Sequence, residues 1–239
     1  MSDTGTGDVN EQAEGDGTRS VPATCFEFFD PRGDLLVREG NLPHWHQPGV
    51  TYFVTFRTED SVPRSLLLSW HARRDDWLRR HGIDPSLRDW RSRLAQSGEL
   101  EREFHAVFTR EFMEYLDRGY GDCVLRQSHL AQIVGDSLRS FHRQRYHLGD
   151  FVVMPNHVHL LVCLLGSTNI ERQCRSWKKF TAGEINRALG RVGRFGQEES
   201  FDHLVRGPDQ CVGFQRYIAD NPEKAGLRAG EYLYCPRTT

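Results

Sequence analysis

The sequence lacks a membrane-spanning run, a paired-cysteine motif and any strong excess of charge, and each absence narrows what the chain can be. The longest apolar stretch, residues 158–165, suits a buried strand rather than a bilayer span. Residues 1–20 are acidic and glycine-rich, with no basic segment leading into an apolar one. No secretory leader is therefore expected, and a cytoplasmic setting is. Six cysteines (Cys25, Cys123, Cys163, Cys174, Cys211, Cys235) form no CxxC pair. That scatter argues against a zinc ribbon or a disulfide framework and fits a reducing compartment, with most of the thiols acting as small buried hydrophobes.

The net charge of −2 argues at first sight against a polyanionic partner. However, residues 1–20 carry Asp3, Asp8, Glu11, Glu14 and Asp16 against Arg19 alone, a subtotal of −4, so the remainder carries +2. A mildly basic domain with an acidic tail is compatible with nucleic acid without requiring it.

What is present is one domain's worth of alternating pattern. The tail 1–20, poor in apolar residues, is expected to be disordered, leaving a single domain over 21–239. The β-branched and aromatic segment Thr51–Arg57 reads as a strand. Residues 63–119 form a charged, helical insert with Trp70, Trp77, Trp90, Phe104, Phe108 and Phe112 at helical intervals and a break at 82–85. A short strand is expected at 122–125, then a helix over 128–142 capped by Ser128. Strands over 151–154 and 158–165 flank a turn at Pro155-Asn156. An amphipathic helix over 169–189 follows, with Ile170, Cys174, Trp177, Ile185 and Ala188 inward. A short extended piece within 195–206 leads to a last helix over 208–221, begun by Pro208 and stopped before Pro222. This order predicts an α+β fold, helices packed on a mainly antiparallel sheet.

The sharpest chemical signal is Met154-Pro155-Asn156-His157-Val158-His159-Leu160-Leu161-Val162. Alternation along a strand puts His157 and His159 on one face, above Leu161, Cys163 and Leu165, and Val158 on the other. Two imidazoles at the end of a strand apolar on both faces are costly to bury alone, and a divalent ion satisfies both. Imidazole suits Mn, Zn or Fe more than Mg. A bare HxH also reads as two hydrogen-bonded histidines near a strand end; His44-Trp45-His46 has the same spacing without an apolar strand and is assigned no metal. The second signal is Tyr217-Ile218-Ala219-Asp220-Asn221-Pro222, where Tyr217 and Asn221 fall one helical turn apart on one face. If that face meets the histidine strand, Asn221 is a third ligand and Tyr217 stands beside the ion. Otherwise Tyr217 is an ordinary half-buried aromatic and Asn221 ends a helix.

Taken together, these residues suit phosphodiester chemistry. Neutral ligands leave the ion's charge for a phosphate oxygen, and a phenol with an ordinary pKa of about 10 needs such polarisation and positioning to attack. A third signal is Arg172, Arg175, Lys178 and Lys179 beside Trp177 and Phe180, a pattern that contacts DNA or forms a solvated helix face with Trp177 in the core.

The segments TYFVTFR, FVVMPNHVHLLV, SWKKFTAGEINR, ESFDHLVR and YIADNPEKAGL, in this order across about residues 44–228, resemble the REP-associated tyrosine transposases, within the single-tyrosine HUH nucleases. The resemblance implies a ferredoxin-like fold, a Mg or Mn ion on His157 and His159, Tyr217 as nucleophile, and Asn221 in the place of a polar ligand. It also implies single-stranded or hairpin DNA as the partner of a monomer or homodimer. Gly196 stands where the family usually carries Trp, and Phe180 where many members carry Tyr. Three activities remain open: nicking and strand transfer through phosphotyrosine, hairpin binding without cleavage, and phosphoester hydrolysis by water.

Overall fold

The structure, a computed structural model, describes residues 26–30, 32, 36–38, 44–87, 89–197 and 200–237. The acidic tail expected at 1–20 and Cys25 lie outside the described residues. A small hairpin, β1 (Leu36–Arg38) with β2 (His44–His46), is separate from the main sheet, so the second HxH lies in a strand remote from the first.

The main sheet is built from β3 (Thr51–Arg57), β4 (Tyr146–Val153), β5 (His157–Leu164), β6 (Phe201–Leu204) and β7 (Leu233–Cys235), in spatial order β6-β3-β5-β4-β7 with every pairing antiparallel. Helix α5 (Ser128–Arg139) connects β3 to β4, and α6 (Ile170–Ala188) connects β5 to β6. The β-α-β-β-α-β succession with its first strand between the fourth and third is the ferredoxin-like arrangement; β7 extends the β4 edge. Helices α1 (Arg64–Arg80), α2 (Trp90–Gln96), α3 (Gly98–Phe104) and α4 (Arg110–Asp117) occupy the expected helical region, with a π-helical turn at His105–Thr109. Gly82, at φ 74°, makes the break after α1 that a side chain would disfavour.

Alternation sorts the strands onto two faces. Tyr52, Val54 and Phe56 of β3 and Val158, Leu160, Val162 and Leu164 of β5 meet α5 and α6, where Trp177 is fully buried and its Nε1 donates to Tyr146 Oη at 3.0 Å. Phe53, Leu161 and Cys163 face the other way, toward α1–α4 and α7 (Pro208–Lys224). Each fully buried Leu or Val of β5 contributes roughly 1.5–3 kcal/mol, enough for the strand to carry two imidazoles inward at its end.

Several boundaries differ from expectation. Residues 124–126 form a 3-10 turn rather than a strand, because Cys123 adopts φ 51° and turns the chain. Ser128 lies inside α5 and caps nothing; Gln127 holds the capping position. β4 begins at Tyr146, five residues early, since a bulge between Leu148 and Phe151 interrupts its alternation. At that bulge a Cβ on Gly149 would lie 2.6 Å from Phe26 Cζ and 3.1 Å from the Leu161 carbonyl oxygen, so a larger residue would have to displace its neighbours. Ala188, expected inward, is exposed in the last turn of α6. Helix α7 runs through Pro222 to Lys224, one turn further than expected, with buried Asn221 and Pro222 held within it. Strands β1 and β7 carried no sequence expectation, and His44–His46, expected to lie in a lead-in without an apolar strand, forms β2.

Candidate metal centre

The turn between β4 and β5 is fixed by backbone contacts from elsewhere in the chain. Thr58 N donates to Asn156 O at 2.9 Å and Leu125 N donates to Pro155 O at 3.1 Å. The Asn156 side chain is oriented in turn, since its Nδ2 donates to Tyr120 O at 3.0 Å. Its Oδ1 then lies 2.8 Å from His157 Nδ1 and can only accept. His157 therefore carries its proton on Nδ1 and leaves Nε2 as a bare lone pair, the outer-shell arrangement that prepares a ligating imidazole.

His159 sits one pleat further along β5, directly opposite Thr55 of β3, with Arg57 opposite His157. Thr55 Oγ1 is 2.7 Å from His159 Nδ1, and Tyr217 Oη is 3.4 Å from His159 Nε2. Both hydroxyls can donate or accept; a His159 ring that ligates through Nε2 carries its proton on Nδ1, facing Thr55. The two ring centroids are 4.6 Å apart. Phe53 stacks on the His159 ring at 5.5 Å and meets the Tyr217 ring edge-on at 5.9 Å, fixing the angle between them.

The tyrosine and the amide reach this point from α7, which crosses the histidine face of the sheet. The distant segments expected to meet do meet: Tyr217 is half-buried against His159, and Asn221 is fully buried one turn on. Asn221 Nδ2 donates to Asp117 Oδ1 at 3.3 Å, and Asn221 Oδ1 is buried without a protein partner.

Asp117 is the residue that sequence reasoning missed. It ends α4, inside the helical region between β3 and α5, and its Oδ1 lies 3.7 Å from His157 Nε2. Ligand atoms of Asp117, His157 and His159 all fall within 4.8 Å of one another, a group able to hold a metal ion. The expected set of wholly neutral donors therefore gains a carboxylate. The only sequence signal was a carboxylate closing the apolar stripe of Met113 and Leu116, one acid among many in that region.

The electrostatics agree with a cation at this point. Burial lowers the His157 pKa to about 3, and burial with the neighbouring His157 lowers that of His159 well below its usual value, so both are neutral at pH 7. Burial raises Asp117 to about 6 despite the Asn221 hydrogen bond and Lys224. Burial and then the Asp117 carboxylate push the Tyr217 phenol upward, partly countered by Asn221. His157 Nε2 and Asn221 Oδ1 are both buried without protein partners, each an omission that costs about 1–3 kcal/mol. Two imidazoles and a carboxylate within 4.8 Å of one another, with the Asn221 amide hydrogen-bonded to that carboxylate, form a donor set that a divalent cation completes.

The basic residues expected to bind DNA lie elsewhere. Helix α6 packs on the opposite face of the sheet, with Arg172, Arg175 and Lys179 exposed on it. Lys178 alone approaches the histidine end, lining a small cavity with Arg57, His157 and Gly196. Gly196 bridges to Thr58, and a Cβ there would sit 3.2 Å from the Arg57 carbonyl oxygen, so the strand contact itself crowds a larger residue. Trp177 is core and cannot stack on a base, whereas Phe180 is 53% exposed. No described helix is long and apolar enough to cross a membrane. The described cysteines are free thiols; burial pushes Cys174 up to about 12, which keeps it inert.

Fold and side chains together define an antiparallel α+β protein with two buried histidines and a half-buried aspartate clustered beside a tyrosine. No family model matches the sequence, and no curated protein does. Among solved structures, the chain is similar to one described as the structure of a REP-associated tyrosine transposase bound to a REP hairpin. The two share 18% identity over 77% of this chain and 73% of that one, with a TM-score of 0.39. A likeness this loose fixes no chemistry, which rests on the side chains.

Proposed function

We propose that the protein is a metal-dependent nuclease and strand-transferase that nicks single-stranded or hairpin DNA through a covalent bond to Tyr217. The observation that carries this reading is Tyr217 Oη at 3.4 Å from His159 Nε2, within a cluster of buried, unprotonated donors. His157, His159 and Asp117 would hold the ion, with Asn221 Oδ1 as a further oxygen donor. A bound divalent cation, Mg or Mn, would supply Lewis acidity at a non-bridging phosphate oxygen.

The chain's own residues do the rest. Thr55 and Asn156 set the tautomers of the two rings, and Phe53 holds the phenol edge-on. Tyr217 attacks phosphorus, a tyrosine–phosphate bond forms, and the bond to the 3′ oxygen breaks. The phenol loses its proton and the departing 3′ oxygen gains one. The phosphotyrosine retains the energy of the broken linkage, so a second 3′-hydroxyl reverses the step and joins strands without a nucleotide cofactor. A phenol whose pKa is raised is a weak nucleophile at neutral pH but a strong one once deprotonated.

The resemblance of the MPNHVHLLV and YIADNP segments to the REP-associated transposases supports the same substrate class. Arg172, Arg175, Lys178 and Lys179 would add phosphate contacts on the far surface. The test is incubation with Mn and end-labelled hairpin DNA. A labelled protein band is expected, absent with chelator and in Tyr217→Phe. Binding without cleavage would instead indicate a hairpin-binding protein, and cleavage that persists in Tyr217→Phe would indicate hydrolysis by water.

A further inference from the structure

Two cavities open on the histidine face of the sheet, both roofed by the helical region 64–117. One, of about 330 Å³, is lined by Trp70, Phe112 and Phe201 together with Arg57, Arg74 and Arg194. The other, of about 410 Å³, contains Tyr217. They share Thr109, Met113 and Phe201, so they are adjoining parts of one cleft. The π-helical turn ends at Thr109, where the two meet; such turns commonly mark functional positions. The first cavity also reaches the metal centre, because Thr55, which orients His159, forms part of its wall.

The lining has the chemistry of a nucleotide site. Its size is that of a small-molecule pocket. Half-buried Phe112 and Phe201 offer stacking surface with buried Trp70 behind them, and Arg57 and Arg74 sit over the Phe112 and Trp70 rings, each at 5.3 Å. Among the described residues that line it, none is acidic. Arginine planes with aromatic faces accept a base, and the same guanidinium groups accept its phosphates.

We infer that this aromatic cavity seats an unpaired nucleotide flanking the one cut, so that the helical region is a wall of the substrate channel. The base lies among Trp70, Phe112 and Phe201, and its phosphates lie against Arg57 and Arg194. The strand then passes Thr109 and Met113 to present the next linkage to Tyr217. This deepens the nicking reading and rests on it for the identity of the strand.

The test is photo-crosslinking with single-stranded oligothymidine carrying iododeoxyuridine, using the wild type and Tyr217→Phe, which binds but cannot attack. Crosslinked peptides containing Trp70, Phe112 or Phe201 are expected in both proteins. Phe112→Ala should weaken binding about tenfold, the loss of one stacked base. Arg194→Gln, which removes the charge of an exposed lining side chain, should weaken binding and flatten its logarithmic salt dependence by about 0.7. Crosslinks confined to α6, with both variants binding like the wild type, would overturn the inference even if the Tyr217 adduct still formed. Crosslinks in the cleft without any adduct would support the cavity and sink the nicking reading. Failure of the wild type to bind the oligonucleotide would overturn the inference and leave the hairpin test of nicking to stand by itself.

Discussion

Thr55→Val is the sharpest probe of how the second histidine is prepared. The substitution keeps shape and removes one hydroxyl, the atom 2.7 Å from His159 Nδ1. Thr55 is 3% exposed and His159 not at all, and the valine methyl fills the hydroxyl's place, so no water replaces the lost partner. A neutral imidazole then has no acceptor for a proton on Nδ1, and the proton moves to Nε2, where the Tyr217 oxygen at 3.4 Å accepts it. Either way one ring nitrogen stays buried and unsatisfied, which costs about 1–3 kcal/mol of stability. With Nε2 protonated, the ring no longer presents a lone pair, and Mn affinity should fall about 10- to 100-fold, as for other outer-shell losses. Calorimetric titration with Mn and urea denaturation measure the two effects, and Thr55→Ser should restore both. If Thr55→Val bound Mn as tightly as the wild type, the tautomer argument would be refuted.

Four further outcomes follow from the structure. In chelated protein, stability should fall as pH drops below 6.5, because unfolded His157 takes a proton that the folded ring, with a pKa of about 3, refuses; the slope is about 1.4 kcal/mol per pH unit for such a histidine. Asp117 acts in the opposite sense, since its folded pKa of about 6 exceeds the ordinary 3.8 and the folded state takes its proton first. Asp117→Asn should therefore steepen the acid loss between about pH 6 and 4 by a similar amount, read from urea midpoints at each pH. Tyr146→Phe breaks a buried relay in which Trp177 Nε1 donates to Tyr146 Oη and Tyr146 Oη donates to Leu138 O at 2.7 Å. It should cost about 1–3 kcal/mol by denaturation and leave Mn binding unchanged. Gly121→Ala places a Cβ 2.7 Å from the Asp60 carbonyl oxygen at φ 88°, so a thermal melt should show a loss exceeding about 1 kcal/mol.

The centre of the fold was legible because β3 and β5 follow the pleat without interruption, and the histidine pair falls on the face their alternation assigns. Tyr217 and Asn221 were legible for the same reason on a helix, through their one-turn spacing. Asp117 was not, because its role comes from where α4 ends in space, and nothing local separates it from its acidic neighbours. The early start of β4 was hidden by its bulge, which breaks the period of two. Helix α7 continued past Pro222 although a proline there cannot donate to the Ile218 carbonyl; the packing of buried Asn221 and Pro222 holds that turn in place. Arg172, Arg175 and Lys179 lie exposed on α6, but no spacing rule reveals that this helix packs on the face away from the histidines.

The most direct measurement is the mass of the tryptic peptide containing Tyr217 after reaction with hairpin DNA and Mn, followed by nuclease trimming. That peptide should carry an added nucleotide phosphate on Tyr217, formed in the wild type and lost when Mn is withheld. Cleaved DNA with an unmodified Tyr217, or a nucleotide attached to any other side chain, would contradict the assignment.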